Sequence, residues 1–551
     1  MQATGPRAVS FQPVSELIFN QLNLKKMRKL LITTAAIAAL LAGCKKSELD
    51  IANPNTPTVQ QFWQTASDAQ KGVNAIYSTY HRVGLARNQF FIDIVRSDEG
   101  FSTSPNPTLI NNFDVFNITD YNLWETTTVW QDCYIGINRC NQVLDNVPNI
   151  DMDNTTKTQL LGEAKFMRGF FYYFLATYWG NVPIQLHTSK PTDFPPTSSQ
   201  ADVYAQAEKD FTDAAAALPA SYNNANVGRA TKGAAYAMLG KAYMQQHNYA
   251  QAQQAFQYLV TGAGSTMYDL VSDFRSNFIE TSENNKESVF EFQHAANPTD
   301  NHDDDTQLSD QDRLNYGTSI PPFFAPRPIG FTDGQARRWT VWEFLKEKTT
   351  SGGRDPRLAA SFLYDSTDER GPDFTMVYGK TWSVRAVEQP YSNTTADPVG
   401  VPTNHTVYFR KFLDDATMNG EVFHSGNNYR YLRYSDVLLL YAEALNGQGQ
   451  TTQAYPYVDR VRQRAGLAPL SVAMPGLNQQ QFLEQLKHER ITELVGEGHR
   501  WEDLARWGDL GPQLASRDAG FANFIKGKHE LLPIPQFDID VNPNLKQNPG
   551  W

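Results

Sequence analysis

The sequence predicts a mainly α protein: a tetratricopeptide-like scaffold of about four helix pairs, broken by long irregular, loop-rich insertions. Three observations carry that expectation. The segment "YAMLGKAYMQQHNYAQAQQAFQYL" sets Tyr236, Leu239, Gly240, Tyr243, Ala252 and Phe256 where a tetratricopeptide repeat has Trp, Leu, Gly, Tyr, Ala and Phe. A second segment, "LLLYAEALNGQGQTTQAYPYV", places Ala442, Leu445, Ala454 and Val458 at the same offsets. Between them about 170 residues, from Tyr268 to Asn428, are rich in Gly, Pro, Asn, Asp and aromatics, and have few long amphipathic runs.

The small Gly240 and Ala252 let two antiparallel helices approach closely, and the larger residues fill the space between them. A third pair joins "AKFMRGFFYYFLATYWGNVPI" to "DVYAQAEKDFTDAAAALP", with Gly169 and Tyr172 spaced as Gly240 and Tyr243 are. A fourth joins "DAQKGVNAIYSTYHR" to "LWETTTVWQDCYIGINRCNQVL". Pairs of this kind stack into a solenoid. The expected organisation is helices over about 65–267 and 429–510, a loop-rich insertion over about 268–428, and an irregular tail over about 511–551, where Pro bars long helices. Together, 65–551 read as a single domain.

The N-terminus reads as an address. Basic residues (Lys25, Lys26, Arg28, Lys29) precede an apolar run from Leu30 to Leu41, which is too short to span a bilayer. The run ends in Leu41-Ala42-Gly43-Cys44, which resembles a bacterial lipobox, with Cys44 as the acylated first residue of the mature chain. Acyl chains there would anchor the protein without a transmembrane helix. Met27 then fits the true start, residues 1–43 being an over-extended start plus signal peptide and 44–64 a polar tether. The other two cysteines, Cys133 and Cys140, are seven residues apart on one helix, about 10.5 Å of rise, beyond disulfide reach. They are expected to be buried thiols on one face.

Net charge is −11, and nothing marks the basic face that a nucleic-acid binder needs. No Gly-x-Ser-x-Gly elbow, His-Glu-x-x-His or phosphate-binding Gly loop occurs. Beside a repeat scaffold and a lipid anchor, this favours binding over catalysis. The acidic run Asp300–Asp312 offers oxygen ligands for Ca²⁺ but lacks the EF-hand glycine and closing Glu, so a solvated loop is preferred. No metal and no cofactor are expected.

The stretch "GEGHRWEDLARWG" looks chemical, with two Trp, two Arg and a His, yet its spacing is that of a docked helix. Trp501, Leu504, Ala505 and Gly508 share one face. Glu502 and Arg506 lie opposite, in the favourable order for a surface pair. In the preceding helix Arg490 falls between Leu483 and Leu486, so a carboxylate is expected beside it, from Glu493 or Glu497.

Taken together, these marks resemble the SusD/RagB family of outer-membrane, nutrient-binding lipoproteins. The resemblance rests on the Cys44 lipobox, "SDEG" at Ser97–Gly100, "CYIGINRCNQVL", "EAKFMRGFFYYFLATYWGNVPI", "ESVFEFQ", "GRDPRLAAS", "YRYLRYSDVLLLYAEALN", "HERITELVGEGHRWEDLARWG" and "LLPIPQFDIDVNPNLKQNPGW", in that order. It implies a non-catalytic, surface-exposed protein that closes over a TonB-dependent (SusC-like) transporter barrel. It also implies that the protein delivers oligosaccharides to that barrel, or peptides in some members. An interaction scaffold without a small ligand is the alternative. The resemblance further implies that the loops around Phe113 and Trp339 border the ligand.

Aromatic rings there would meet the apolar faces of a sugar, while Asn and Arg would bond its hydroxyls. The candidates are Phe113 and Asn117 in the first loop, Tyr316, Phe323, Phe324, Arg338 and Trp339 in the second, and Trp382. For each, loop packing is the competing role. Tyr316→Ala or Trp339→Ala is expected to weaken ligand binding at least about tenfold, which is ~1.4 kcal/mol.

Overall fold

The computed structural model describes residues 62–102, 110–296, 317–318, 320–325, 330–331, 333–364, 376–377, 380–381, 407–413 and 425–551, together with Met27. Cys44, Tyr316, Trp382 and the Asp300–Asp312 run lie outside the described residues. The chain divides into Met1–Gln64 and a compact unit, Thr65–Trp551. Among the described residues, no helix is long and apolar enough to cross a membrane.

The helical frame follows the expected pairs. Helix α1 (Ala66–Ser78) packs on α2 (Trp124–Asn146), α2 on α3 (Asn154–Tyr178), and α3 on α4 (Gln200–Ala217). The line continues through α5 (Lys232–Gln245) and α6 (Tyr249–Val260). After the insertion, α7 (Tyr434–Gly447) packs directly on α6, and α8 (Thr451–Arg464) on α7. Helix α9 (Gln479–Leu494) returns against α7 and α8. Local sequence sets the starts: Thr65 and Asp68 form a capping box on α1, Asn478 and Gln481 another on α9, and Ser199 and Thr231 cap α4 and α5.

Close approach explains the small residues of the repeat. A Cβ placed on Gly240 would lie 2.4 Å from the Phe256 ring, and one on Gly169 would lie 3.0 Å from the Phe211 ring. Phe256 and Phe211 are fully buried, as are Ala252, Ala442, Ala454 and Val458. Full burial of each large side chain stabilises by roughly 1.5–3 kcal/mol. Cys133 and Cys140 are both buried free thiols.

Beside a short hairpin that pairs Met376–Val377 with Lys380–Thr381, the insertion adds strands to two small sheets. Strand β1 (Gly100–Ser102) comes from the first irregular stretch, and β2 (Ser288–Phe292) opens the insertion. Strands β3 (Gly334–Ala336), β4 (Phe362–Tyr364) and β5 (Val407–Phe409) follow, and β6 (Tyr429–Arg433) runs into α7. The antiparallel order of the first sheet is β1-β3-β5-β4, and β2 pairs with β6. At β6 an ionic core joins insertion to frame. Arg433 contacts Glu287 at 2.5 Å, Glu493 at 3.0 Å and Glu497 at 2.7 Å, and all four side chains are at most 1% exposed.

Helix α10 (Arg500–Trp507) docks as expected through Trp501 and Leu504, but three details of the sequence reading need correction. Arg490 is buried, but its partners are Asp503, with Nε–Oδ2 at 2.7 Å, and Asp436 at 2.8 Å. Glu493 and Glu497 are taken by Arg433, and Lys411 adds a bond to Glu497 at 2.6 Å. Nor are Glu502 and Arg506 a surface pair: both are buried, Glu502 on Lys241 at 2.9 Å and Arg506 bidentate on Glu443 at 2.8 and 2.9 Å. Ala505 and Gly508, assigned to the docked face, are exposed. The helix is buried nearly all round, so its charges had to find partners inside.

Candidate functional site

The irregular stretches converge on a buried guanidinium. Strands β1 and β3 pair Gly100 with Ala336, Phe101 with Gln335 and Ser102 with Gly334, which sets the two candidate loops side by side. The next residue, Arg337, donates its backbone N–H to the Glu99 carbonyl at 2.8 Å. Its side chain reaches Asp114 at 2.8 Å and Asp518 at 2.7 Å, and lies 4.1 Å from the Phe101 ring centroid. The first loop, the insertion and the C-terminal tail therefore meet on one charge with no solvent exposure. Burial and the neighbouring Asp114 push the Asp518 carboxyl upward, against the pull of Arg337.

A second junction joins two sequence marks. Arg500 of α10 holds Asp98 of "SDEG" with bonds of 2.6 and 2.9 Å, and Arg517 from the tail adds a third at 3.1 Å. Burial would raise the Asp98 carboxyl, but the two guanidiniums hold it below its ordinary range. Next to it, Glu99 is pushed up to about 8 by burial, which Arg500 only partly offsets.

The candidates fall into different settings on this frame. Phe113 and Phe324 are core residues, 0% and 3% exposed, and Arg338 is also buried. Asn117 is exposed beside the tail-packed Phe116, whose ring lies 4.7 Å from Phe521. Trp339 is 9% exposed. Its indole N–H donates to the Asp98 carbonyl at 2.5 Å, and the guanidiniums of Arg517 and Arg500 lie over it at 4.4 and 5.4 Å. Its remaining edge lines a cleft of about 610 Å³ together with Glu343, Gln480, Gln481 and His488.

Phe323 is half-buried and has a different environment. Its ring centroid lies 4.6 Å from the Arg87 guanidinium, 5.4 Å from Phe91 and 5.4 Å from Phe331. Arg87 also lies 5.2 Å from the Trp124 ring. Phe331 and Trp124 are half-buried too, whereas Arg87 is 4% exposed. The result is a ledge of three partly open aromatic rings, Trp124 and Phe323 on one buried cation and Phe331 packed on Phe323. Cation–ring contacts of this kind contribute about 0.5–2 kcal/mol each and help hold Trp124 and Phe323 in place.

Sequence reasoning missed Arg87 and Trp124. Arg87 sits in a π-helical turn, Gly84–Asn88, a widened turn often found at functional positions. Asp132 anchors that turn by accepting from Arg82 Nε at 2.5 Å and from the Gly84 N–H at 2.9 Å. Nothing in "GLARNQFF" distinguishes such a turn from an ordinary helix. The "LW" that opens α2 was legible only as a helix start.

Fold and site together define a tetratricopeptide-like frame carrying a head built from pinned loops. The chain belongs to the SusD family, whose model matches residues 243–551; residues 55–244 match a family described as starch-binding, associating with the outer membrane. SusD-like protein P25 from Formosa agariphila is 24% identical over 89% of this chain and 92% of its own length. SusD-like protein P2 from the same organism is 25% identical over 95% of this chain and 100% of its own length. A solved SusD superfamily protein from Bacteroides vulgatus superposes with a TM-score of 0.74 at 26% identity, covering 89% of this chain and all of that one. A laminarin-binding SusD-like protein has the same fold, with a TM-score of 0.71 at 24% identity over 89% of this chain and 100% of its own.

Proposed function

We propose that this protein captures oligosaccharides at the cell surface and delivers them to a SusC-like, TonB-dependent transporter. It would do so as a lipoprotein anchored through Cys44, facing the exterior, without catalysing a reaction on its ligand. The observation that carries this reading is the ledge of Trp124 and Phe323 on Arg87, with Phe331 beside Phe323. It offers rings to the apolar C–H faces of a sugar, at the margin of the two loops joined by the β1–β3 pairing. Tyr316 and Trp382 remain candidates that would extend the surface. Phe113, Phe324, Arg338 and Trp339 would act mainly by holding the loops, and Asn117 would lie to one side. The glycan-binding description of the family and the laminarin-binding relative support the ligand class.

The test is calorimetry with laminarin and starch oligosaccharides on the wild-type chain and on Phe323→Ala. Saturable binding that falls at least about tenfold in the variant, ~1.4 kcal/mol, is the expected result. Binding that Phe323→Ala, Phe331→Ala and Trp124→Ala all leave unchanged would remove the ledge from the site. Absence of saturable binding to any glycan, with binding to peptides, would overturn the ligand class.

A further inference from the structure

We propose that Glu347, His488 and Glu489 form a divalent metal site of zinc type at the edge of the Trp339 cleft, with Glu343 as the positioning residue for the histidine. The three side chains each bring a ligand atom within 4.8 Å of the others. Glu343 and Glu347 come from the helix Trp339–Leu345 and the turn that ends it, and His488 and Glu489 from α9. Glu343, Glu347 and His488 line the cleft, so an ion has a path in from solvent.

The polar bookkeeping around these residues leaves room for a cation. His488 Nδ1 lies 2.8 Å from Glu343 Oε2. A carboxylate only accepts, so the proton of a neutral ring sits on Nδ1 and the lone pair on Nε2. That nitrogen stands 3.9 Å from Glu347 Oε1, beyond hydrogen-bond range. Glu489 is 0% exposed, and its Oε2 is buried with no hydrogen-bond partner. An unpaired carboxylate oxygen in that position costs free energy unless something positive meets it.

The other oxygens are already assigned. Arg462 bonds Glu347 Oε2 at 2.6 Å and also bonds Glu489 Oε1, which accepts from Gln485 at 2.9 Å as well. Gln485 also reaches Glu347 Oε1 at 3.3 Å. Arg462 thus fixes both carboxylates by one edge. Lys346 bonds Glu343 from outside. Glu343, Glu347 and Glu489 thus bring three carboxylates to the two cations bonded to them, Arg462 and Lys346.

One imidazole with two carboxylates is a borderline-soft N/O set, suited to Zn²⁺ and poor for Ca²⁺. The carboxylate–histidine–metal arrangement through Glu343 is the usual way such a ring is oriented. Tetrahedral bonds of about 2.0–2.1 Å need ligand atoms about 3.4 Å apart, so the side chains would close by about an ångström, with water as the fourth ligand.

The experiment is zinc chloride titration, by calorimetry, into the full chain purified without a polyhistidine tag and stripped with EDTA. One saturable site is expected, together with a zinc-dependent rise in Tm. His488→Ala is expected to lose at least tenfold in affinity and all of the Tm rise, with an unchanged Tm in EDTA. Glu343→Gln is expected to lose about tenfold to a hundredfold by releasing the ring. No saturable uptake by the wild type, or zinc binding by His488→Ala equal to wild type, would overturn the site. Glycan affinity is not a readout, so the result stands apart from the ligand reading above.

Discussion

Asp98 and Arg500 are 402 positions apart in sequence and share a bidentate ion pair, with Nε–Oδ1 at 2.6 Å and Nη2–Oδ2 at 2.9 Å. The pair clamps the first irregular stretch to the helix that follows α9. Both side chains are buried, so removing one partner strands a charge. Arg500→Ala is expected to cost about 3–5 kcal/mol of stability. A double-mutant cycle with Asp98→Asn in chemical denaturation should show a coupling of about 0.5–3 kcal/mol. Additive effects would mean that Arg517 alone suffices to hold Asp98.

Phe323→Ala should separate ligand recognition from folding. The ring is half-buried, so its loss should cost less than the roughly 3–5 kcal/mol of a fully buried phenylalanine. The helical circular dichroism of the variant is expected to match wild type, while laminarin or starch-oligosaccharide affinity falls at least about tenfold, or ~1.4 kcal/mol.

Trp339→Ala and Arg490→Ala are expected to act on stability first. The tryptophan loses its bond to the Asp98 carbonyl and two overlying guanidiniums; the arginine leaves Asp436 and Asp503 without their shared partner. Each should cost about 3–5 kcal/mol in urea unfolding. Glycan binding by the folded fraction of Trp339→Ala then tells whether the cleft edge also touches ligand. For Arg490→Ala, unchanged stability with abolished binding would reassign α9 to recognition.

Asp93 should make stability pH-dependent in an unusual direction. It is buried beneath α10, bonded by Tyr178 and by Gln89 at 3.1 Å. Burial raises its carboxyl to about 8, more than those bonds lower it, and nearby Glu502 adds to the rise. The folded chain therefore holds a proton that the unfolded chain releases near 4. The contribution is fully present below about 4 and is lost as pH climbs through about 8. Thermal melts at pH 5.5 and 8.5 should show wild type losing more Tm than Asp93→Asn across that interval. Equal losses would show that the carboxyl is ionised throughout.

The helical frame was legible because its signals are local. Gly240 against Phe256 and Gly169 against Phe211 are repeat positions, and the capping residues Thr65, Ser199, Thr231 and Asn478 lie within three residues of what they cap. The head was not legible, because β1 and β3 are three residues each and carry no periodicity. Arg490 shows the same limit in charge pairing. The sequence called for a carboxylate, but the partners lie 13 and 54 positions away, whereas the nearer acids serve Arg433. The ledge depends on a π-turn that the pattern of "GLARNQFF" does not announce.

The packing of α6 directly on α7 has a consequence for how the chain reaches its fold. The flank of α6 that α7 will cover is complete at Val260, yet its cover begins only at Tyr434. A chain emerging from its N-terminus presents an uncapped end of the array for as long as the whole insertion takes to follow. Exposed apolar flanks of this sort invite wrong partners while they wait. The first three helix pairs must therefore hold together unaided, and the interval between Val260 and Tyr434 is when a holding chaperone would have most to protect.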